Sequence, residues 1–231
     1  MRPVVRGDVP TDEFGNPVTF DDYKDARDYL IDRMGDYCSY CEVALHSYVD
    51  VEHVQPKSLH PHLEREWSNF LLACGNCNSI KGHRTINLAD YYWPDRHNTL
   101  RTFVYPPDLP PQVGTAVEMS EERARATIQL TGLDRIPGHP KFSDRDRRWL
   151  KRFHAWGKAQ EVLSLLTQND TVQMRQLAVQ VALGVGFFSV WWTVFQHDAN
   201  MRTRLIQAFA GTAADCFDDF GNTVSGSTDM E

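Results

Sequence analysis

The stretch WSNFLLACGNCNSIKG, residues 67–82, joins the apolar run NFLLAC to a C-x-x-C pair, Cys74 and Cys77, and opens a short helix near that pair. A matching pair, Cys38 and Cys41, lies 32 residues upstream in DYCSYCE. Between the pairs, SYVDVEHV is a β-branched run with strand character, and it turns at Pro56. The expected order is strand, long loop, strand, helix. Two C-x-x-C pairs flanking one such unit supply four thiolates for a closed tetrahedral Zn²⁺ site, which holds a fold and leaves no open position for a reactive water.

Working outward, DDYKDARDYLIDRMG spaces Tyr23, Ala26, Tyr29, Leu30 and Met34 at helical intervals, so a helix is expected from about 21 to 34 with Gly35 as its stop. PPDLPPQVGT holds four prolines in ten residues and reads as a loop. Beyond it the chain reads helical. Ser120 before Glu121 and Glu122 has the pattern of an N-cap with an acidic first turn, and Gly132 of a stop. Ser143 is a second expected cap, for a helix whose Trp149, Phe153, Trp156 and Leu163 form one apolar stripe. The divisions expected are a module over 1–104, a Pro-rich loop over 105–115, a helical extension over 116–220 and a disordered tail over 221–231. The fold class is therefore α+β, with a mostly α-helical C-terminal extension.

The chain has 231 residues, 42% hydrophobic and 24% charged, enough to bury a substantial core. The polar opening MRPVVRGDVPTDEFGNP has no secretory h-region, and the paired cysteines favour metal over disulfides, so a cytoplasmic location is expected. Net charge is −7, an awkward balance for gripping phosphates. The charge is uneven: residues 1–90 carry nine Lys/Arg against fifteen Asp/Glu, whereas residues 135–158 carry eight against two. Any nucleic-acid grip is expected from the second region, with Arg145, Arg147, Arg148, Lys151 and Arg152 on one helix edge; the competing reading is a solvated face over core tryptophans.

The elements YCSYCE, VEHVQPKS and WSNFLLACGNCNSIKG together resemble the HNH endonuclease motif with zinc-binding cysteine pairs, in matching order over about 47 residues. The resemblance implies a ββα-metal nuclease module. It assigns His53 as general base, Glu52 and Asn78 as ligands of a catalytic Mg²⁺ or Mn²⁺, Asn69 as the residue orienting the histidine, and Cys38, Cys41, Cys74 and Cys77 as ligands of a structural Zn²⁺. The chemistry suits the residue types: carboxylate and amide oxygens are hard donors, and imidazole accepts a proton near neutral pH. Glu52 stands where Asp is more usual. Asn78 also suits a helix cap, Asn69 a turn at a strand end, and Lys81 either a phosphate contact or solvated surface. His60, His62 and His83 read as surface or substrate-proximal groups. A zinc-stapled binding module with an inactive centre is the rival, against which the intact His53, Asn69 and Asn78 argue.

The opening MRPVVRGDVP, together with FFSVWWTVF (187–195) and AFAGTAADCF (208–217), extends the resemblance over most of the chain, to the PtuB family of HNH effectors in Septu-type and retron-associated anti-phage systems. That resemblance implies destruction of nucleic acid, with DNA favoured and RNA possible, alongside an SMC- or ABC-like ATPase partner, PtuA. The segment LAVQVALGVGFFSVWWTVF, 177–195, approaches membrane-spanning length, but Gln180, Gly184 and Gly186 and the absence of a cationic anchor cluster favour a buried helix. Phe187, Phe188, Trp191 and Trp192 are expected either in an internal core or docked against the ATPase or a second copy of the chain.

Overall fold

The computed structural model describes residues 1–46, 49–115 and 120–224. After a 3₁₀ turn at Tyr23–Ala26, capped by the Asp22 side chain, α1 (Arg27–Met34) ends at Gly35, whose φ of +70° suits a residue without a Cβ. Strand β1 (Asp50–His53) pairs antiparallel with β2 (Phe70–Ala73), with Glu52 opposite Leu71 and His53 opposite Phe70. Helix α2 (Gly75–Lys81) follows directly, and Cys74 caps it by accepting the Cys77 N–H at Sγ. This is the expected strand, loop, strand and helix.

A short helix α3 (Thr99–Thr102) leads into a two-residue hairpin, β3 (Phe103–Val104) with β4 (Gln112–Val113), so the Pro-rich stretch loops out between paired strands. Helix α4 (Glu121–Thr131) starts and ends as expected: Ser120 Oγ accepts the Arg123 N–H at 3.3 Å, and Gly132 turns left-handed at φ +62°. The next helix, α5 (Arg148–Gln168), begins five residues after Ser143, which forms only a local turn; the Asp146 carboxylate takes up the first N–H instead. Its expected stripe is split, because Trp156 is buried while Phe153 is 48% exposed.

Residues 177–195 are not one helix. Helix α6 (Val172–Val185) stops at Gly186, and α7 (Phe188–Val194) sets off from Phe187 in a left-handed conformation. Gly186 is required there: a Cβ would lie 2.7 Å from the Glu42 carbonyl oxygen. That close approach seats the α6–α7 corner on the cysteine knuckle, where Val43 bridges Gly186 and Glu42 accepts from the Ser189 N–H. Phe187, Phe188 and Trp191 are fully buried in the chain's own core, and Trp192 donates to the Gly221 carbonyl at 2.9 Å. Of the two readings offered for these aromatics, Phe187, Phe188 and Trp191 take the internal core, because the break at Gly186 folds them inward. Among the described residues no helix is long and apolar enough to cross a membrane.

Helix α8 (Ala199–Ala208) packs on α6 and α7. The N-terminal strand segment returns to this region, since Val4 bridges Thr212 and the buried Arg2 guanidinium donates to the Phe209, Ala210 and Met34 carbonyls. One hydrophobic core therefore runs from Met1 through the β1–β2 hairpin to Phe209. Residues 221–224 fold back, with Thr223 bridging Phe217, while 225–231, most of the expected tail, lie outside the described residues.

Candidate metal and catalytic centre

The four cysteine sulfurs lie within 4.8 Å of one another, close enough to share one ion. The knuckle places Cys38 and Cys41, and the start of α2 places Cys74 and Cys77. Burial pushes the Cys41 and Cys77 thiols up, whereas hydrogen bonds from the other three sulfurs hold Cys74 down. A cluster with one thiolate stabilised at the expense of its buried neighbours is one that a divalent cation would relieve, so the donors fit a metal.

Two arginines surround this quartet. Arg148, 5% exposed, donates to Cys77 Sγ at 2.9 Å, to the Thr131 and Gly132 carbonyls, and to both Asp146 oxygens. Arg152, equally buried, is pushed down to about 10 by burial, against the pull of Cys41 and Glu42. The expected nucleic-acid role of Arg148 and Arg152 is therefore corrected: both are buried on the inner face of α5, and Arg148 contacts the cysteine quartet directly. Arg145, Arg147 and Lys151 are exposed. Replacing Arg148 by Met is expected to destabilise the protein by about 3–5 kcal/mol, because Asp146 is left buried and unpaired; the urea midpoint and retained metal per chain measure it. A lysine there restores only part, since it cannot span four acceptors with one ammonium.

On the hairpin, His53 is 8% exposed, its ring set edge-on to Phe70 and Tyr23 at 5.3 and 4.7 Å between centroids. Its Nε2 lies 2.8 Å from the Glu64 carbonyl oxygen. A carbonyl only accepts, so Nε2 carries the proton and Nδ1 keeps its lone pair. Burial lowers the imidazole below its ordinary value, with the Glu64 carbonyl acting in the opposite direction, which favours the neutral, proton-accepting form. Asn69 makes no hydrogen bond to the ring among the described residues. Its amide clamps the loop after β1, accepting from the Gln55 N–H at 2.8 Å and donating to the Gln55 and Leu63 carbonyls, which sets the path leading to Glu64.

Glu52 and Asp50 alternate with Val51 and His53 along β1, so both face α2. Asn78 Nδ2 donates to Asp50 at 3.1 Å. Glu52 is buried, and burial raises its carboxyl, opposed by Lys81, whose ammonium sits 2.8 Å from Oε1. Lys81 is 1% exposed and also donates to the His53 carbonyl at 2.7 Å. Its expected phosphate contact is thus corrected: it is a buried tie between α2 and β1. The Lys81 and Tyr40 contacts both fall on Oε1 of Glu52, and Asn78 is engaged through its nitrogen, so Glu52 Oε2 and the Asn78 oxygen take no part in them. Those two hard donors fit a divalent cation.

Asp50 and Tyr40 are participants that sequence reasoning passed over. The two-residue period places Asp50 beside Glu52 and was a readable signal; Glu64 acts through its backbone carbonyl, which no side-chain pattern betrays. His83 Nδ1 lies 3.4 Å from Ser58 Oγ at the rim, and His60 and His62 pack on each other at 5.9 Å, so these histidines stay outside the cysteine quartet.

Residues 38–84 match the HNH endonuclease family model. A 56-residue stretch is 39% identical to Septu protein PtuB of Bacillus thuringiensis, covering 23% of this chain and 22% of that protein. The chain thus matches about a fifth of that curated relative's length. The β1–β2 hairpin and α2 thus lie within the stretch, residues 38–84, that matches the HNH endonuclease family model, and that stretch is set within a larger helical fold.

Proposed function

We propose that this chain is a metal-dependent endonuclease that hydrolyses phosphodiester bonds, DNA in the first place and RNA as the second substrate to be tested. The observation that carries this reading is the His53 imidazole, pinned through Nε2 to the Glu64 carbonyl, with Nδ1 left to take a proton from water. Glu52 and Asn78 would hold Mg²⁺ or Mn²⁺, which supplies charge stabilisation at the scissile phosphate. Lys81 fixes Glu52 and the His53 backbone relative to α2, and Asn69 fixes the loop that presents Glu64. The cysteine quartet holds Zn²⁺ as a structural ion. Similarity to the Septu protein supports a role as effector nuclease of an anti-phage defence system, acting in the cytoplasm with an SMC- or ABC-like ATPase partner.

The decisive assay incubates the purified full chain, alone and with the product of a neighbouring ATPase gene, with plasmid DNA and with RNA. Cleavage with added Mg²⁺ or Mn²⁺ and none with EDTA is expected. Turnover that persists in EDTA, or no turnover under any of these conditions, refutes the reading.

A further inference from the structure

The exposed cations at the start of α5 and just before it lie beside α2, which carries Asn78. Arg145, Arg147 and Lys151, with His154, line one side of a cleft of about 470 Å³ whose other side is Val43, Cys74 and Asn76. Arg147, Lys151, His154 and Lys158 recur at helical spacing and are all exposed, so they form one stripe along the helix. Among the described residues Arg145, Arg147 and Lys151 enter no ion pair, although the chain carries a net charge of −7. Of the two aspartates in this stretch, the buried Asp146 is bound to Arg148, and the exposed Asp144 enters no ion pair among the described residues. Three exposed cations against one exposed aspartate leave this edge of the cleft net positive.

Location gives the cleft its meaning. Asn76 lines it and donates to Asp146, while Asn78, two residues on along α2, turns toward Asp50 on the hairpin. Two residues on a helix are about 200° apart, so the cleft and the catalytic set occupy opposite flanks of one helix, roughly 10–12 Å across. That is a few phosphate spacings of a nucleic-acid strand.

We propose that this cleft is a phosphate-backbone exosite, in which Arg145, Arg147 and Lys151 hold nucleotides flanking the scissile bond. The proposal rests on the nuclease reading for its substrate, but not on His53 chemistry. It also explains how an acidic protein grips a polyanion: the attraction is local, and the remaining surface repels strands that miss it.

The test measures equilibrium binding of a labelled 20-nucleotide DNA, single- and double-stranded, and of the matching RNA, to the full-length His53→Ala chain by fluorescence anisotropy between 50 and 300 mM salt. Into that background go Arg145→Glu/Lys151→Glu and, as a control of equal net charge, Arg125→Glu/Arg204→Glu. The cleft pair is expected to weaken binding roughly tenfold or more and to reduce the salt slope by roughly 1.4–1.8, from about 0.7–0.9 per lost phosphate contact. The control pair should move neither by a comparable amount. Equal effects of the two pairs, an unchanged slope in the cleft pair, or no binding by the His53→Ala parent would overturn the exosite. Metal-dependent cleavage by the wild type, measured separately, keeps the nuclease reading standing in any of those cases.

Discussion

His53→Ala is expected to lower the cleavage rate by about 10²–10⁴-fold while leaving the fold and the cysteine-bound metal in place. The loss follows from removing the one side chain on the hairpin that is held with a free proton-accepting nitrogen. The fold should survive because the ring makes edge contacts with Tyr23 and Phe70 at the border of the core, and the quartet lies on other elements. Deleting those contacts costs on the order of 1–2 kcal/mol, a typical single-site effect. Single-turnover cleavage, circular dichroism and metal content per chain together decide the matter. A folded, metal-loaded variant that cuts at the wild-type rate removes His53 from the mechanism.

Stripping the cysteine-bound metal should have a larger structural effect. Binding of a structural zinc contributes on the order of 10–16 kcal/mol, comparable with or greater than the whole stability of a domain. Here the loss reaches beyond residues 38–84. The knuckle is the seat of the α6–α7 corner through Val43, Glu42 and Gly186, and Cys77 accepts from Arg148 at the start of α5. Cys77→Ser, or a strong chelator acting on the wild type, is therefore expected to release the metal and lose helical signal in one cooperative step. Adding a divalent catalytic ion afterwards should not restore it. A metal-free protein that retains its helical signal and melting temperature would show that the helical region stands without the knuckle.

Local signals made much of the centre legible. Two C-x-x-C pairs, an acid beside a histidine and an Asn after the last cysteine sit within a short span of chain, so the expected ligands and the His53 position follow from spacing along a strand and a helix turn. The caps of α4 were equally local: Ser120 and Gly132 act on groups a few residues away. The start of α5 was not, because Ser143 has the right chemistry for a cap, while Arg148 enters the helix with its side chain tied to acceptors up to 71 residues distant.

Spacing along the chain sufficed to read the cysteine quartet and the order of hairpin and helix. Which charges are exposed and which are buried follows only from the fold. Lys81, Arg148 and Arg152 read like Arg145 and Lys151 along the chain, yet the first three are buried and the last two exposed. The physical reason is that burying a cation costs several kcal/mol unless partners compensate it, and here remote segments supply partners for each: Glu52 for Lys81, Cys77 for Arg148 in addition to its neighbour Asp146, and Cys41 with Glu42 for Arg152. Likewise the aromatic run 187–195 specified burial but not against what, and the turn at Gly186 directed it into the chain's own core.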